Sequence, residues 1–166
     1  MSQNDTATPS VLFVCLGNIC RSPMAEGAFR AAAEKAVLDV RVDSVGTADY
    51  HIGAPPDPRA IAAARSHGVD ISGLEGRQLA ASDFREFTHI FALDHANLEG
   101  IRSREPRHST AQVAMLLDAV PGQRGEAIID PYHGDDAGFE ACWQSIDEAV
   151  EALVARFAKD GAAARF

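Results

Sequence analysis

The sequence predicts an α/β protein in which a four-stranded parallel sheet is covered by helices on both faces, and three features predict it. A compact β-branched run, Val11-Leu12-Phe13-Val14-Cys15, is what a strand buried on both faces requires. Further strand-like runs alternate with helix-like ones, the order that gives parallel crossovers. Near the C-terminus, Phe139, Cys142, Trp143, Ile146, Val150, Leu153, Val154 and Phe157 recur at three-and-four spacing opposite Glu140, Asp147, Glu148 and Glu151, one apolar face of a helix.

The first strand leads into Leu16-Gly17-Asn18-Ile19-Cys20-Arg21 and then Ser22-Pro23-Met24-Ala25-Glu26. There a capping hydroxyl on Ser22, a first-turn proline and Glu26 mark a helix start, and the helix runs through alanine-rich sequence to about Val37. Arg41 to Val45 reads as the second strand, ended by Gly46, and the Gly- and Pro-rich stretch Thr47 to Asp57 as a loop. Pro58 to His67 reads as a helix stopped by Gly68. Ser82-Asp83-Phe84 starts a short helical turn, Thr88 to Leu93 is the third strand, Asp94 to about Arg104 a helix, and Gln112 to Leu117 the fourth strand. Pro131 and Gly134 make Ile128 to Gly134 a loop. Sheets of this kind bind ligands at the carboxyl ends of their strands, which is where Cys15 to Ser22 falls.

One domain accounts for these elements. The 166 residues are 46% apolar and 23% charged, the composition of a folded domain, and no repeat or linker divides them. Fifteen basic and 24 acidic side chains give a net charge of −9, which argues against nucleic acid or a membrane surface as partner. Any anion site must therefore be built locally. No apolar run approaches the roughly 18–20 residues of a membrane span. Met1 to Pro9, polar and without Lys or Arg, reads as a disordered tail rather than a secretory signal, ahead of a single domain from Ser10 to Phe166. The three cysteines cannot all pair within the chain, so it reads as cytoplasmic. Cys142 fits a small buried hydrophobe and Cys15 a reactive group.

Cys15-x5-Arg21-Ser22 has the parts needed for attack on a phosphoryl group. A thiol at the mouth of a strand-to-helix loop sits among backbone N–H groups and near the positive end of a helix, and both favour its thiolate. The same N–H groups form a concave anion nest from Leu16 to Ser22. Arg21 can return over the loop with two parallel hydrogen bonds to phosphate, a geometry lysine lacks. Gly17 permits the turn, Asn18 tolerates a left-handed conformation, and Ser22 can donate to the sulfur. The pattern alone also suits a buried cysteine beside a surface arginine; its place between a buried strand and a capped helix favours chemistry.

Val14-Cys15-Leu16-Gly17-Asn18-Ile19-Cys20-Arg21-Ser22-Pro23-Met24-Ala25-Glu26 resembles the signature of the low-molecular-weight protein tyrosine phosphatases. Ser44-Val45-Gly46-Thr47, Asp57-Pro58-Arg59-Ala60, His67-Gly68-Val69, Ile90-Phe91-Ala92-Leu93-Asp94 with Asn97-Leu98, and Asp130-Pro131-Tyr132 resemble further blocks, in order and at family spacing. The resemblance runs from Val11 to the final helix. It implies a phosphotyrosine phosphatase I-like, Rossmann-like fold, a monomer, and hydrolysis of protein phosphotyrosine with no cofactor and no metal. It implies that Cys15 forms a phosphocysteine while Asp130 protonates the leaving phenolate and then deprotonates water. Asn18, Ser44 and His67 match a buried polar network behind the phosphate loop, and Asp94 a residue that orients Arg21. By themselves Asp130 would read as a turn residue, His67 as a helix-terminal residue bound to carbonyls, and Asp94 as a helix cap.

Tyr50 and Tyr132 match the walls of the substrate crevice, Leu16 its floor, and Ile19 a further apolar contact. Aromatic walls suit an aryl ring and a deep site favours phosphotyrosine over shorter phosphoserine. Position 50 is tryptophan in many members, so tyrosine there implies a modest change of preference. Relatives that act on phosphoarginine carry threonine where this chain has Ile19, which places phosphotyrosine first and protein arginine phosphatase as the alternative. Arsenate reductases of this fold need mid-chain cysteines, and none lies between Cys20 and Cys142. Cys20 matches a neighbour that can form a reversible disulfide with Cys15, and equally fits a buried loop cysteine. A catalytically silent phosphoprotein-binding module would lack the nucleophile, clamp or acid, and all three are present. The Gly-x4-Gly-Lys pattern of nucleotide loops is absent, and the histidines show no metal-ligand spacing.

Overall fold

The structure, a computed structural model, describes residues 7–166. Strand β1 (Ser10–Cys15) lies between β2 (Arg41–Gly46) and β3 (His89–Ala92), with β4 (Gln112–Met115) outside β3, and every pair is parallel. All of β1 is buried because its side chains alternate between two cores. Val11, Phe13 and Cys15 join the core shared with α1 (Arg21–Lys35), α2 (Pro58–Arg65) and α5 (Asp136–Asp160). Leu12 and Val14 join the core on the other face, with α3 (Asp83–Glu86) and α4 (His95–Arg104). Both sheet faces are thus covered, as the continuous apolar run of β1 requires.

The chain places β2 on one side of β1 and β3 on the other, so the direction of winding reverses at β1. A reversal of this kind opens a crevice at the carboxyl ends of the strands, and the loop after Cys15 and the turn after Ala92 meet there.

Element ends differ from expectation for local reasons. The α1 helix begins at Arg21 with Cys20 as N-cap and no side-chain cap; the expected capping hydroxyl of Ser22 lies inside the first turn and is used by the site. It ends before Val37, which takes a left-handed φ of 54° while Leu38 N donates to the Ala33 carbonyl at 2.8 Å. The fourth strand stops at Met115 because Leu116–Ala119 winds into a 3-10 turn, with Asp118 accepting from Met115 N and from Gly125 N. Residues 1–6 of the expected tail lie outside the described residues. Its remaining part is tied down rather than free: the Ala7 carbonyl accepts from Ala162 N at 3.2 Å and the Pro9 carbonyl from Arg41 N at 3.1 Å. Among the described residues, no helix is long and apolar enough to cross a membrane.

Candidate active site

Residues 16–20 turn from β1 into α1, and the turn is held from behind. Thr47 N and Ala48 N donate to the carbonyls of Cys15 and Leu16, both at 3.0 Å, Asp57 N to that of Ile19 at 2.8 Å, and Met24 N to that of Cys20 at 3.2 Å. With these oxygens engaged, the N–H groups of Gly17, Ile19 and Cys20 have no acceptor among the described residues and form, with the start of α1, the donor surface of an anion site. The loop lies so close to the end of β2 that a Cβ on Gly46 would meet the Leu16 carbonyl oxygen at 2.7 Å.

Asn18 takes a left-handed φ of 58°. Its Nδ2 donates to Ser22 Oγ at 2.8 Å and Ser44 Oγ at 3.0 Å, and its Oδ1 accepts from Arg77 N at 3.0 Å. Cys15 Sγ accepts from Asn18 N at 3.3 Å and lies 3.0 Å from Ser22 Oγ. Since Ser22 Oγ accepts from Asn18, its own proton is available to the sulfur, the nearer acceptor compared with the Val45 carbonyl at 3.4 Å. Behind Ser44 stands Glu26, buried in α1, whose Oε1 accepts from Ser44 Oγ at 2.8 Å and whose Oε2 accepts from Arg30 at 2.7 Å. Burial raises the pKa of Glu26, and the hydrogen bonds from Ser44 and Arg30 oppose that rise.

Arg21 is buried, its Nη1 donating to Asp94 Oδ2 and to the Ile128 carbonyl, both at 2.8 Å. Burial works against its charge, and Asp94, Cys15 and Asp130 more than restore it. Asp94 has two tasks, since its Oδ1 also accepts from Asn97 N at 2.7 Å and caps α4. Arg21 Nη2 lies 3.5 Å from Asp130 Oδ2, and Asp130 Oδ1 accepts from Tyr132 N at 3.0 Å.

Cys15, Leu16, Gly17, Ile19, Cys20 and Arg21 floor a cleft of about 200 Å³ whose sides are Tyr50, His51, Asp130, Tyr132 and His133. Tyr50 is 70% exposed and Tyr132 41%, so both rings stand at the mouth of the cleft. The Cys20 thiol is pushed well up by burial, with Asp57, Cys15 and Asp130 adding to the effect. Cys142 is buried in α5, its thiol pushed up to about 12 chiefly by burial.

Most sequence-predicted residues therefore converge: Cys15 to Ser22, Arg21, Asp94 and Asp130 at the phosphate loop, Ser44 behind it, and both tyrosines at the mouth. His67 does not. It stacks on Trp143, centroids 5.3 Å apart and planes within 9°, and its Nε2 bonds both carboxylate oxygens of Glu140 at 3.0 and 2.9 Å. The place expected for it behind Ser44 is taken by Glu26, on the turn of α1 that packs over β2. Glu26, His51, His133 and Arg59 were not singled out for the site by sequence, although Asp57-Pro58 is a recognisable cap that would have drawn attention to the residue after it. Among the described residues, no cluster of His, Cys, Asp and Glu is placed to hold a metal ion.

A parallel α/β sheet with a donor-lined loop at the carboxyl end of its central strand defines a phosphate-handling α/β protein. Residues 10–163 match the profile of the family described as low molecular weight phosphotyrosine protein phosphatase. The chain is 43% identical over 141 residues to the Schizosaccharomyces pombe protein of that name, covering 83% of this chain and 90% of the relative. A protein tyrosine phosphatase from Entamoeba histolytica superposes with a TM-score of 0.86 at 31% identity, covering 92% of this chain and 98% of that one. A Drosophila arginine phosphatase superposes with a TM-score of 0.81 at 34% identity, covering 89% and 96%. The chain belongs to the low molecular weight phosphotyrosine protein phosphatase family, a family of hydrolases.

Proposed function

We propose that this enzyme hydrolyses phosphotyrosine in proteins through a phosphocysteine on Cys15, with Arg21 binding phosphate and Asp130 moving the proton. The observation that carries the reading is the convergence of these three side chains on one cleft, with Arg21 bridging towards Asp130 at 3.5 Å. In the first step Cys15 thiolate attacks phosphorus, an S–P bond forms as the bond to the tyrosine oxygen breaks, and protonated Asp130 gives its proton to that oxygen. In the second, water attacks phosphorus, Asp130 takes its proton, the S–P bond breaks, and phosphate leaves with the thiolate restored. Amides of the loop and the Arg21 guanidinium stabilise the charge on the three non-reacting oxygens. Ser22, next to the sulfur, supports its anionic form.

Tyr50 and Tyr132 flank the phenol ring, and Ile19 offers carbon where nitrogen-linked phosphate would profit from a hydroxyl. The likeness to the Drosophila arginine phosphatase makes phosphoarginine the second reading. In this reading Cys20, at the floor of the cleft beside Cys15, captures a Cys15 sulfenic acid as a disulfide with loss of water, a step that the burial of its thiol slows. Three free cysteines accord with a reducing, cytoplasmic setting, and the chain acts as a monomer in this reading.

Phosphate release from a phosphotyrosine peptide and from a phosphoarginine protein, in EDTA, tests the reading with Cys15→Ser as control. Rapid release from phosphotyrosine, abolished by the substitution, is the expected result. Release chiefly from phosphoarginine would move the substrate, and release from neither would leave a phosphoprotein-binding module.

A further inference from the structure

Arg59, the second residue of α2, directs its side chain to the segment that follows Asp130. Its Nε and Nη2 donate to Asp57 Oδ1 and Oδ2 at 3.1 and 3.0 Å. The outer edge of the same guanidinium donates to the Tyr132 carbonyl at 3.0 Å through Nη2 and to the Gly134 carbonyl at 3.3 Å through Nη1. Its faces lie against two rings, with the guanidinium carbon 4.6 Å from the centroid of Phe139 and 5.5 Å from that of Tyr132. Asp57, the anchor, is fixed in turn: its carboxylate caps α2 by accepting from Arg59 N at 2.8 Å, and its own N donates to the Ile19 carbonyl in the phosphate loop at 2.8 Å.

An ordinary surface ion pair would contribute little. Here a rigid fork holds a carboxylate on one edge and two carbonyls on the other, an arrangement no lysine can reproduce. The carbonyls it holds belong to a turn, closed by Gly134 N donating to the Pro131 carbonyl at 2.9 Å. Arg21 holds the Ile128 carbonyl, just before Asp130; Arg59 holds the Tyr132 and Gly134 carbonyls, just after it. Asp130 is thus suspended between two arginines, one rooted in the phosphate loop and the other tied to it through Asp57.

We propose that Arg59 is a positioning residue for proton transfer: it clamps the Pro131–Gly134 turn against the phosphate loop and so holds the Asp130 carboxyl where the leaving oxygen departs. The inference rests on Asp130 being the proton donor. A residue that merely stabilised the junction of α2 with α5 would, when changed, lower activity alike for every substrate. A residue that aims the acid will matter in proportion to how badly the leaving group needs a proton.

The experiment compares kcat/KM for phenyl phosphate, a poor leaving group, with that for 2,4-dinitrophenyl phosphate, which departs unprotonated, in wild type, Arg59→Lys, Arg59→Ala and Asp130→Asn. Both Arg59 variants are expected to lose at least about tenfold more with phenyl phosphate than with the dinitrophenyl ester, a share of the about 10²–10⁴-fold a general acid supplies. The inhibition constant of inorganic phosphate should stay within about twofold, since the phosphate loop keeps its own bonds. Adding Arg59→Ala to Asp130→Asn should cost less than about twofold more, because both act on one proton. Equal losses for the two esters, while Asp130→Asn remains selective, would overturn the role of Arg59 and leave Asp130 in place. A tenfold weaker phosphate inhibition, on the order of 1.4 kcal/mol, would assign Arg59 to the phosphate loop and also overturn it. An unselective Asp130→Asn would remove the acid itself, and the inference with it.

Discussion

A buried polar group costs stability unless it is hydrogen-bonded, and four side chains behind the sulfur meet that demand as one chain. Glu26 accepts from Ser44, Ser44 accepts from Asn18, Asn18 donates also to Ser22, and Ser22 faces Cys15. Ser44 is the link whose removal does least to volume and most to satisfaction. Ser44→Ala strands one Asn18 N–H and one Glu26 oxygen, both in buried residues. The expected outcome in urea denaturation is a loss of about 1–3 kcal/mol. Weaker inhibition by phosphate should accompany it, because Asn18 sets the left-handed point of the loop; a variant as stable as wild type would show that the chain carries no structural load. Cys15, Arg21 and Ser22 were legible because the loop that unites them is continuous in sequence. Glu26 was legible only as a mark of the helix start; its inward bond to Ser44 depends on the packing of α1 over β2. Asp130 became legible through the family resemblance of its Asp-Pro-Tyr block, since nothing local separates it from a turn aspartate.

Element by element, apolar runs, helix start and stop signals and, for the last helix, three-and-four spacing located every strand and long helix, and side chains decided where each stopped. Ser22 looked like a cap because Ser-Pro opens many helices. Its hydroxyl was instead recruited by Asn18 and the sulfur, a competition invisible until the chain folds back. His67 shows the same limit. Its partners, Glu140 and Trp143, lie on α5, far along the chain, and stacking with a carboxylate bond places the ring between α2 and α5. The consequence is a prediction opposite to the one its sequence block suggests. His67→Ala should leave kcat and KM for a phosphotyrosine peptide within about twofold, while lowering stability by about 0.5–2 kcal/mol from the lost ring contact and the partly exposed hydrogen bond to Glu140. A large fall in kcat with an unchanged unfolding midpoint would return His67 to the site.

Across the whole molecule, an inner strand of the sheet is tied to the C-terminal segment by a buried imidazole. His89 opens β3, its Nε2 donating to the Ala164 carbonyl at 2.7 Å and its Nδ1 lying 2.8 Å from Thr88 Oγ1. Phe91, Phe157 and Phe166 surround the ring, so no water reaches it. Burial lowers the pKa of His89 below its ordinary 6.5, the bond to Ala164 opposing the shift. In the unfolded chain the same ring titrates near the ordinary value. Between the two values the unfolded state binds a proton that the folded state refuses, so stability falls as pH drops below about 6.5 and goes on falling until the folded ring itself protonates. His89→Gln keeps a donor for Ala164 and removes the titration. Its unfolding free energy should be lower than that of wild type at pH 7.5, from imperfect packing, and the gap should narrow as pH is lowered to 5. Denaturation curves for both proteins across that range decide the matter; a constant gap would mean that another group carries the acid sensitivity.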